Sequence, residues 1–271
     1  MFNPVQFYEF GKRRGLPIDA DAQAFITASQ ITNQTQILAI NTLVVNLKSN
    51  SLWSKMKYIY PMVGGTAFSH KWNLKDSRDL DAAFRLNFIG GWTHTATGAL
   101  PNGTNGYANT FLYPQVNLGL NNTHIAFYHR IQTAISKQAV HGVEGDASGE
   151  RFFLFPQSFN IGTLSDMYNN TNGRLTINLG TSKGLIFSSR ISAISHKIYL
   201  NGSLKASNTT SGGVLPNRPF FMSAGNTATG AQFFSNNEVA FASIGDGFTD
   251  AEALTYYNII QAYQTTLSRQ I

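Results

Sequence analysis

Between Lys197 and Ser207 two short runs of alternating apolar and polar residues flank an Asn201-Gly202 dipeptide. A period of two puts Ile198 and Leu200 on one face of a strand and Lys197 and Tyr199 on the other. Asn-Gly suits a type I′ turn, because both central residues need positive φ and the twist of that turn matches the twist of the flanking strands. A chain carrying this signal must contain antiparallel β-structure, and the rest of the sequence has to be fitted around it.

Further short runs follow the same grammar. Residues 83–89 alternate, with Phe84, Leu86 and Phe88 on one face and Arg85 and Asn87 on the other. Residues 122–132 set Ile125, Phe127 and Ile131 opposite His124, Tyr128 and Arg130. Each reads as a strand with one wet side. Strands are also expected over 139–143, 151–156, 174–179, 185–189, 220–224 and 239–244. So many short strands, with turn residues between them and no helices alternating with them, describe a mainly β chain. The expected fold is an antiparallel β-sandwich of jelly-roll type with a short helical N-terminal segment and a C-terminal helix.

The helical parts carry their own signals. Asp19 to Ser29 reads as a short helix with acidic residues in its first turn. Asn33-Gln34-Thr35-Gln36 has capping-box spacing, and Ile37, Ile40, Val44 and Leu47 recur at helical intervals. Another turn or two is expected from Leu52 to Tyr60, stopped by Pro61. Thr249-Asp250-Ala251-Glu252 is a second capping box, opening a helix with Tyr256, Ile260, Tyr263 and Leu267 on one face. The domain reading is a basic arm at 1–18, a helical docking segment at 19–62 and a sandwich at 63–271. The stripe of the 33–48 helix needs cover, from the sandwich or from a neighbouring subunit.

Composition narrows the function classes. The 271 residues include no Cys, which removes disulfides, thiolate metal sites and Cys nucleophiles together. Residues 1–75 hold eight Lys/Arg against three Asp/Glu, and the remainder twelve against eleven. The excess positive charge therefore sits at the N-terminal end, with Lys12, Arg13 and Arg14 as candidate docking residues for a partner. The first residues lack the pattern of a secretory leader, and no apolar run is long enough to span a membrane as a helix.

The order strand, Asn-Gly turn, strand, then a further strand running into Gly245-Asp246-Gly247-Phe248-Thr249-Asp250-Ala251-Glu252 and a final helix resembles the C-terminal half of laminin-G-like modules. These belong to the concanavalin A-like lectin/glucanase superfamily, and the resemblance covers about 184–265. Trp53-Ser54-Lys55-Met56, Val63-Gly64-Gly65-Thr66-Ala67 and His70-Lys71-Trp72-Asn73-Leu74-Lys75-Asp76 also look like segments of bacteriophage structural proteins that place a short helical segment before such a module. That resemblance implies a virion-surface protein that decorates the particle or attaches to host-surface glycans. Its implied partners are other virion proteins and sister subunits in a homo-oligomer. It hands over no catalytic residue.

Glucanases of this superfamily place alternate carboxylates on one strand face as nucleophile and acid. Glu144-Gly145-Asp146-Ala147-Ser148-Gly149-Glu150 comes near that motif. Its spacing is one residue too long, however, and its glycines favour a turn in which the carboxylates diverge. A glycoside hydrolase or lyase is the alternative; a non-enzyme is the expectation. The six histidines show no metal-ligand spacing, and neither a metal nor a cofactor is expected. Nucleic acid ranks last among partners, for want of Lys/Arg-aromatic interleaving in the sandwich.

Sugar sites combine an aromatic platform with planar polar side chains that hold hydroxyl pairs. Trp92, His94, Asn102, Asn105 and Tyr107 supply those types near strand ends, with Tyr128 and Arg130 as a second carbohydrate-binding candidate. The competing expectation is that Trp92 and Tyr107 cap the core.

Overall fold

The computed structural model describes residues 17–131, 139–147, 149–158 and 162–271. Two sheets face each other. The first contains β1 (Met56–Tyr60), β3 (Trp92–Thr95), β4 (Gly98–Pro101), β6 (Thr123–His129), β11 (Gly184–Ser192), β12 (Ser195–Leu200), β13 (Ser203–Asn208) and β17 (Val239–Gly245). Its order is β13-β12-β11-β6-β17-β4-β3, with β1 also paired to β17. The second runs in the order β10-β9-β8-β7-β14-β5-β2. Those strands are β2 (Asn87–Ile89), β5 (Tyr107–Asn109), β7 (Ala139–Glu144), β8 (Arg151–Ser158), β9 (Gly162–Met167), β10 (Leu175–Ile177) and β14 (Phe221–Met222). A small ribbon of β15 (Gly225–Thr227) and β16 (Gly230–Gln232) joins it through a parallel β15–β7 pairing. All other pairings are antiparallel among the described residues, so the chain is the antiparallel β-sandwich its strand grammar demands.

Helices form a third layer. α1 (Ala20–Ser29), α2 (Gln34–Ser49) and α3 (Asp250–Thr266) pack on the outer face of the first sheet. Alternation along each central strand therefore feeds two cores. Ile125 and Phe127 of β6, Ile186 of β11 and Ala242 and Ile244 of β17 meet the second sheet at Phe152, Leu154 and Met167. Their neighbours Ala126, Tyr128, Leu185, Phe187 and Phe241 meet Ile40, Val44, Tyr256 and Ile260 of the helices. Each such large apolar side chain contributes about 1.5–3 kcal/mol by leaving water.

This layering corrects the reading of β6 as a strand with one wet side, since all seven of its residues are buried. A covered sheet tolerates aromatic and histidine side chains on the face that looks polar in sequence, provided their polar atoms find partners. The stripe of α2 is likewise covered within the chain: Ile40, Val44 and Leu47 are all buried in the helix–sheet core.

Two local expectations also fail. Residues 52–60 make a single helical turn, Trp53–Lys55, and then β1, because Tyr58, Ile59 and Tyr60 pair with β17 and lie fully buried. Over 83–89 only Asn87–Ile89 is strand; Phe84 turns the chain in the left-handed region at φ 58° after a turn at Asp81–Ala83. Two strands not expected from the sequence, β3 and β4, form a hairpin paired from Trp92↔Pro101 to Thr95↔Gly98.

The Asn201-Gly202 turn holds, with φ of 51° and 74°. Its strands pair from Leu200↔Ser203, and a bulge at Lys205 follows between Tyr199↔Leu204 and Ile198↔Ala206. The α3 capping box is also present: Thr249 Oγ1 accepts from the Glu252 N–H at 3.3 Å, and Glu252 Oε2 accepts from the Thr249 N–H at 2.9 Å. Reciprocal caps of this kind satisfy two of the free donors at a helix start.

Candidate functional site

The aromatic loop region begins at β3. Its strand pairing points Trp92 and His94 the same way, and Trp92 packs on the inter-sheet core with Phe88 edge-on at 5.1 Å. The indole N–H donates to the carbonyls of Ile89 at 3.1 Å and Tyr107 at 3.2 Å. His94 stacks against Trp92 at 5.9 Å, and its Nδ1 lies 3.0 Å from Nδ1 of buried His70. Burial, then the neighbouring His94 and Arg269, push His70 down to about 3; burial also lowers His94. Both rings are therefore neutral at ordinary pH, and one N–H bridges them.

The amides of this region serve the loop itself. Asn102 Oδ1 accepts from the backbone N–H groups of Thr104, Asn105 and Gly106 at 3.0–3.1 Å. Its Nδ2 donates to Asn105 Oδ1 at 2.8 Å, and that same oxygen accepts from the Gly91 N–H at 3.0 Å. Tyr107 packs on Phe221 at 4.6 Å. The structure thus brings Trp92, His94, Asn102, Asn105 and Tyr107 into one region and ties their polar atoms largely to one another and to backbone.

Tyr128 and Arg130 lie elsewhere, under the C-terminal segment. Tyr128 is fully buried; its hydroxyl donates to Gln261 Oε1 at 3.0 Å and accepts from the Ile271 N–H at 2.7 Å. Arg130 donates to the Arg269 carbonyl at 2.9 Å and to Glu238 Oε2 at 3.0 Å. α3 and the residues after it close Tyr128 off from water, while the Arg130 side chain stays partly exposed. Lys12, Arg13 and Arg14 fall outside the described residues.

The acidic run forms the β7–β8 connection and is a turn, closed by the Gly145 N–H on the Glu150 carbonyl at 2.7 Å. Its carboxylates take separate partners. Glu144 faces Arg151 at 3.7 Å, Asp146 receives Asn217 at 2.7 Å together with Arg218, and Glu150 Oε2 accepts from the Ala147 N–H at 3.3 Å. The Asn217 hydrogen bond, with the Arg218 charge, holds the Asp146 carboxyl below its ordinary value.

On either side of this turn lies an open groove. One, of about 380 Å³, runs between Glu144, Asp146 and Ala147 and the β15–β16 ribbon at Thr227, Ala228 and Thr229. The other, of about 290 Å³, runs between Glu150 and the exposed Thr171 and Asn172, with Val214 as an apolar wall. Sequence reading missed both, because each groove joins segments far apart in the chain.

It also missed a nucleophile–base arrangement. Ser165 Oγ lies 3.0 Å from His196 Nε2 and 2.8 Å from Ser188 Oγ, while His196 Nδ1 lies 3.0 Å from the Gly173 carbonyl. All three side chains are fully buried, so no substrate reaches them. Among the described residues no group of three or more His, Cys, Asp or Glu gathers as metal ligands, and no helix is long and apolar enough to cross a membrane.

No family model matches the chain, and no curated protein matches it in sequence. Solved structures match in fold. Domain 4 of AbnA, a GH43 extracellular arabinanase from Geobacillus stearothermophilus solved in complex with arabinotriose, aligns with a TM-score of 0.53 at 13% identity. The alignment covers 74% of this chain and 98% of that domain. A botulinum neurotoxin type C structure, described by cell entry dependent on two ganglioside molecules, aligns with a TM-score of 0.50 at 11% identity. It covers 79% of this chain and 53% of the toxin chain. At these identities the likeness is one of fold, a β-sandwich.

Proposed function

We propose that the chain is a non-catalytic, lectin-like glycan-binding module, displayed on a virion surface. The observation that carries the glycan reading is the β7–β8 turn with its two open grooves, rimmed by carboxylates and hydroxyls with small apolar patches. Sugar rings offer hydroxyl pairs to planar oxygen groups and C–H faces to apolar walls, so shallow polar grooves of this kind suit them. The fold adds support, because the arabinanase domain that it matches along nearly its whole length is described in complex with arabinotriose. The sealed Ser165–His196 pair favours binding without cleavage.

A glycan array probed with the full chain tests this reading, followed by titration of any hit against Asp146→Ala and Thr171→Ala. Binding that either variant weakens supports it; turnover of the bound glycan, or no binding to any glycan, contradicts it. The virion part rests on the resemblance of the 53–76 segments to phage structural proteins and on the basic N-terminal end. Peptides of this chain in purified particles would support it, and their absence would remove it.

A further inference from the structure

The helical layer carries a second surface that the glycan reading leaves unused. Leu38, Asn41, Val45 and Lys48 recur along α2 at intervals of three and four, which keeps them on one face beside the stripe buried against the sheet; Asn41 on it is itself buried. Leu38 and Val45 are 39% and 44% exposed. Asn41 between them accepts from the Asp19 N–H at 2.8 Å, which sets Ile18, 38% exposed, beside the stripe.

Cations close one end of this face. Lys48 Nζ lies 2.6 Å from the carboxylates of Asp19 and Asp21 and 5.4 Å over the Trp53 ring. Lys75 lies over the same ring at 4.4 Å. Burial lowers the Lys75 pKa, and Lys48 and Lys57 add to that against the pull of Asp21, so these groups share one neighbourhood. Lys57 is exposed, and neither it nor Lys75 has an ion pair among the described residues. Three lysines against Asp19 and Asp21 leave the face positive.

We infer that this face docks an acidic protein partner, one whose segment sets apolar side chains on Ile18, Leu38 and Val45 and carboxylates against Lys57 and Lys75. Charge complementarity selects an acidic occupant, and the apolar stripe selects a polypeptide. Nucleic acid fits less well, because two ammonium groups already lie over the Trp53 ring where a base would stack. An anionic bilayer would meet Asp19 and Asp21 on the same face. The inference stands independently of the glycan reading.

Fluorescence anisotropy of the full chain with a labelled peptide of alternating Leu and Glu tests it, beside an all-Glu peptide, an oligothymidylate and phosphatidylglycerol vesicles. The Leu/Glu peptide is expected to bind tightest. Lys57→Glu with Lys75→Glu should weaken it roughly tenfold or more, and Val45→Ser about fivefold, each variant being verified as folded by its melting temperature. Tighter binding of the oligothymidylate, the vesicles or the all-Glu peptide, absence of peptide binding, or an affinity unmoved by the charge reversal would overturn it.

Discussion

The loop at 102–106 and the turn at 144–150 are equally polar in sequence, yet they use their polar atoms in opposite ways. In the first, one amide oxygen, Asn102 Oδ1, takes three backbone N–H groups, and Asn105 ties the loop back to Gly91. The loop is satisfied from within and anchored by the Trp92 indole. In the second, the backbone closes the turn and Glu150 accepts from the Ala147 N–H, while Asp146 meets Asn217 and Arg218 at the rim of a groove built from distant segments. A side chain that completes its own loop has little left for a ligand, whatever its chemical type.

That contrast can be broken or sharpened by experiment, and the largest effect expected is on acid stability. Burial holds His70, His124 and His196 neutral with pKa values of about 3, and His129 at about 4. Their folded-state values lie below the unfolded value of about 6.5, so their contribution is fully present above that pH and is lost as pH falls toward 4 and below. The four groups act in the same direction, with a combined slope on the order of 5 kcal/mol per pH unit at full effect. Chemical denaturation at a series of pH values should show this slope; a stability flat between neutral and mildly acidic pH would contradict the burial of these rings. The 144–150 turn contains no histidine, so in the still-folded protein any glycan affinity should not follow this titration.

Next in size is Trp92→Ala, which removes an indole wedged against the inter-sheet core. It should cost about 3 kcal/mol, read as a lower denaturation midpoint, and leave glycan affinity unchanged in the folded fraction. Asn102→Ala should cost about 1–2 kcal/mol, since three loop N–H groups lose their acceptor but regain water. A glycan affinity that collapses with either substitution while stability holds would move the binding site back to the aromatic loop. Smallest on stability is Asp146→Ala, expected to leave the denaturation midpoint at that of the parent because the side chain is exposed. The same substitution should have the largest effect on glycan binding.

Much of the frame was legible in the sequence because it depends on local rules. The Asn201-Gly202 turn, the Thr249 capping box and the strand periods need only neighbours a few residues away. Phe127 and Ile186 could be placed facing a core, but nothing local tells Tyr128 or Tyr199 that a helix will cover their side of the sheet. Tyr199 stacks on Phe187 at 4.7 Å and donates to Asp250 of α3, a contact set by a segment 51 positions later. β1 was hidden for the same reason: Met56 to Tyr60 reads as a helical turn before a proline until β17 offers it a partner. The site was the least legible part. Residue types singled out Trp92 and the Asn-rich loop, whereas the grooves arise from the meeting of 144–150 with 171–172, 214 and 227–229, which only the fold brings together.

The most direct measurement is a calorimetric titration of the best array glycan against the parent chain, Asp146→Ala and Trp92→Ala, all verified as folded. Affinity lowered tenfold or so by Asp146→Ala and untouched by Trp92→Ala is the expected result, in line with the loss of a charged hydrogen-bonding group from a binding site. The reverse pattern, with Trp92→Ala abolishing binding and Asp146→Ala leaving it intact, would contradict the assignment of the site to the β7–β8 turn.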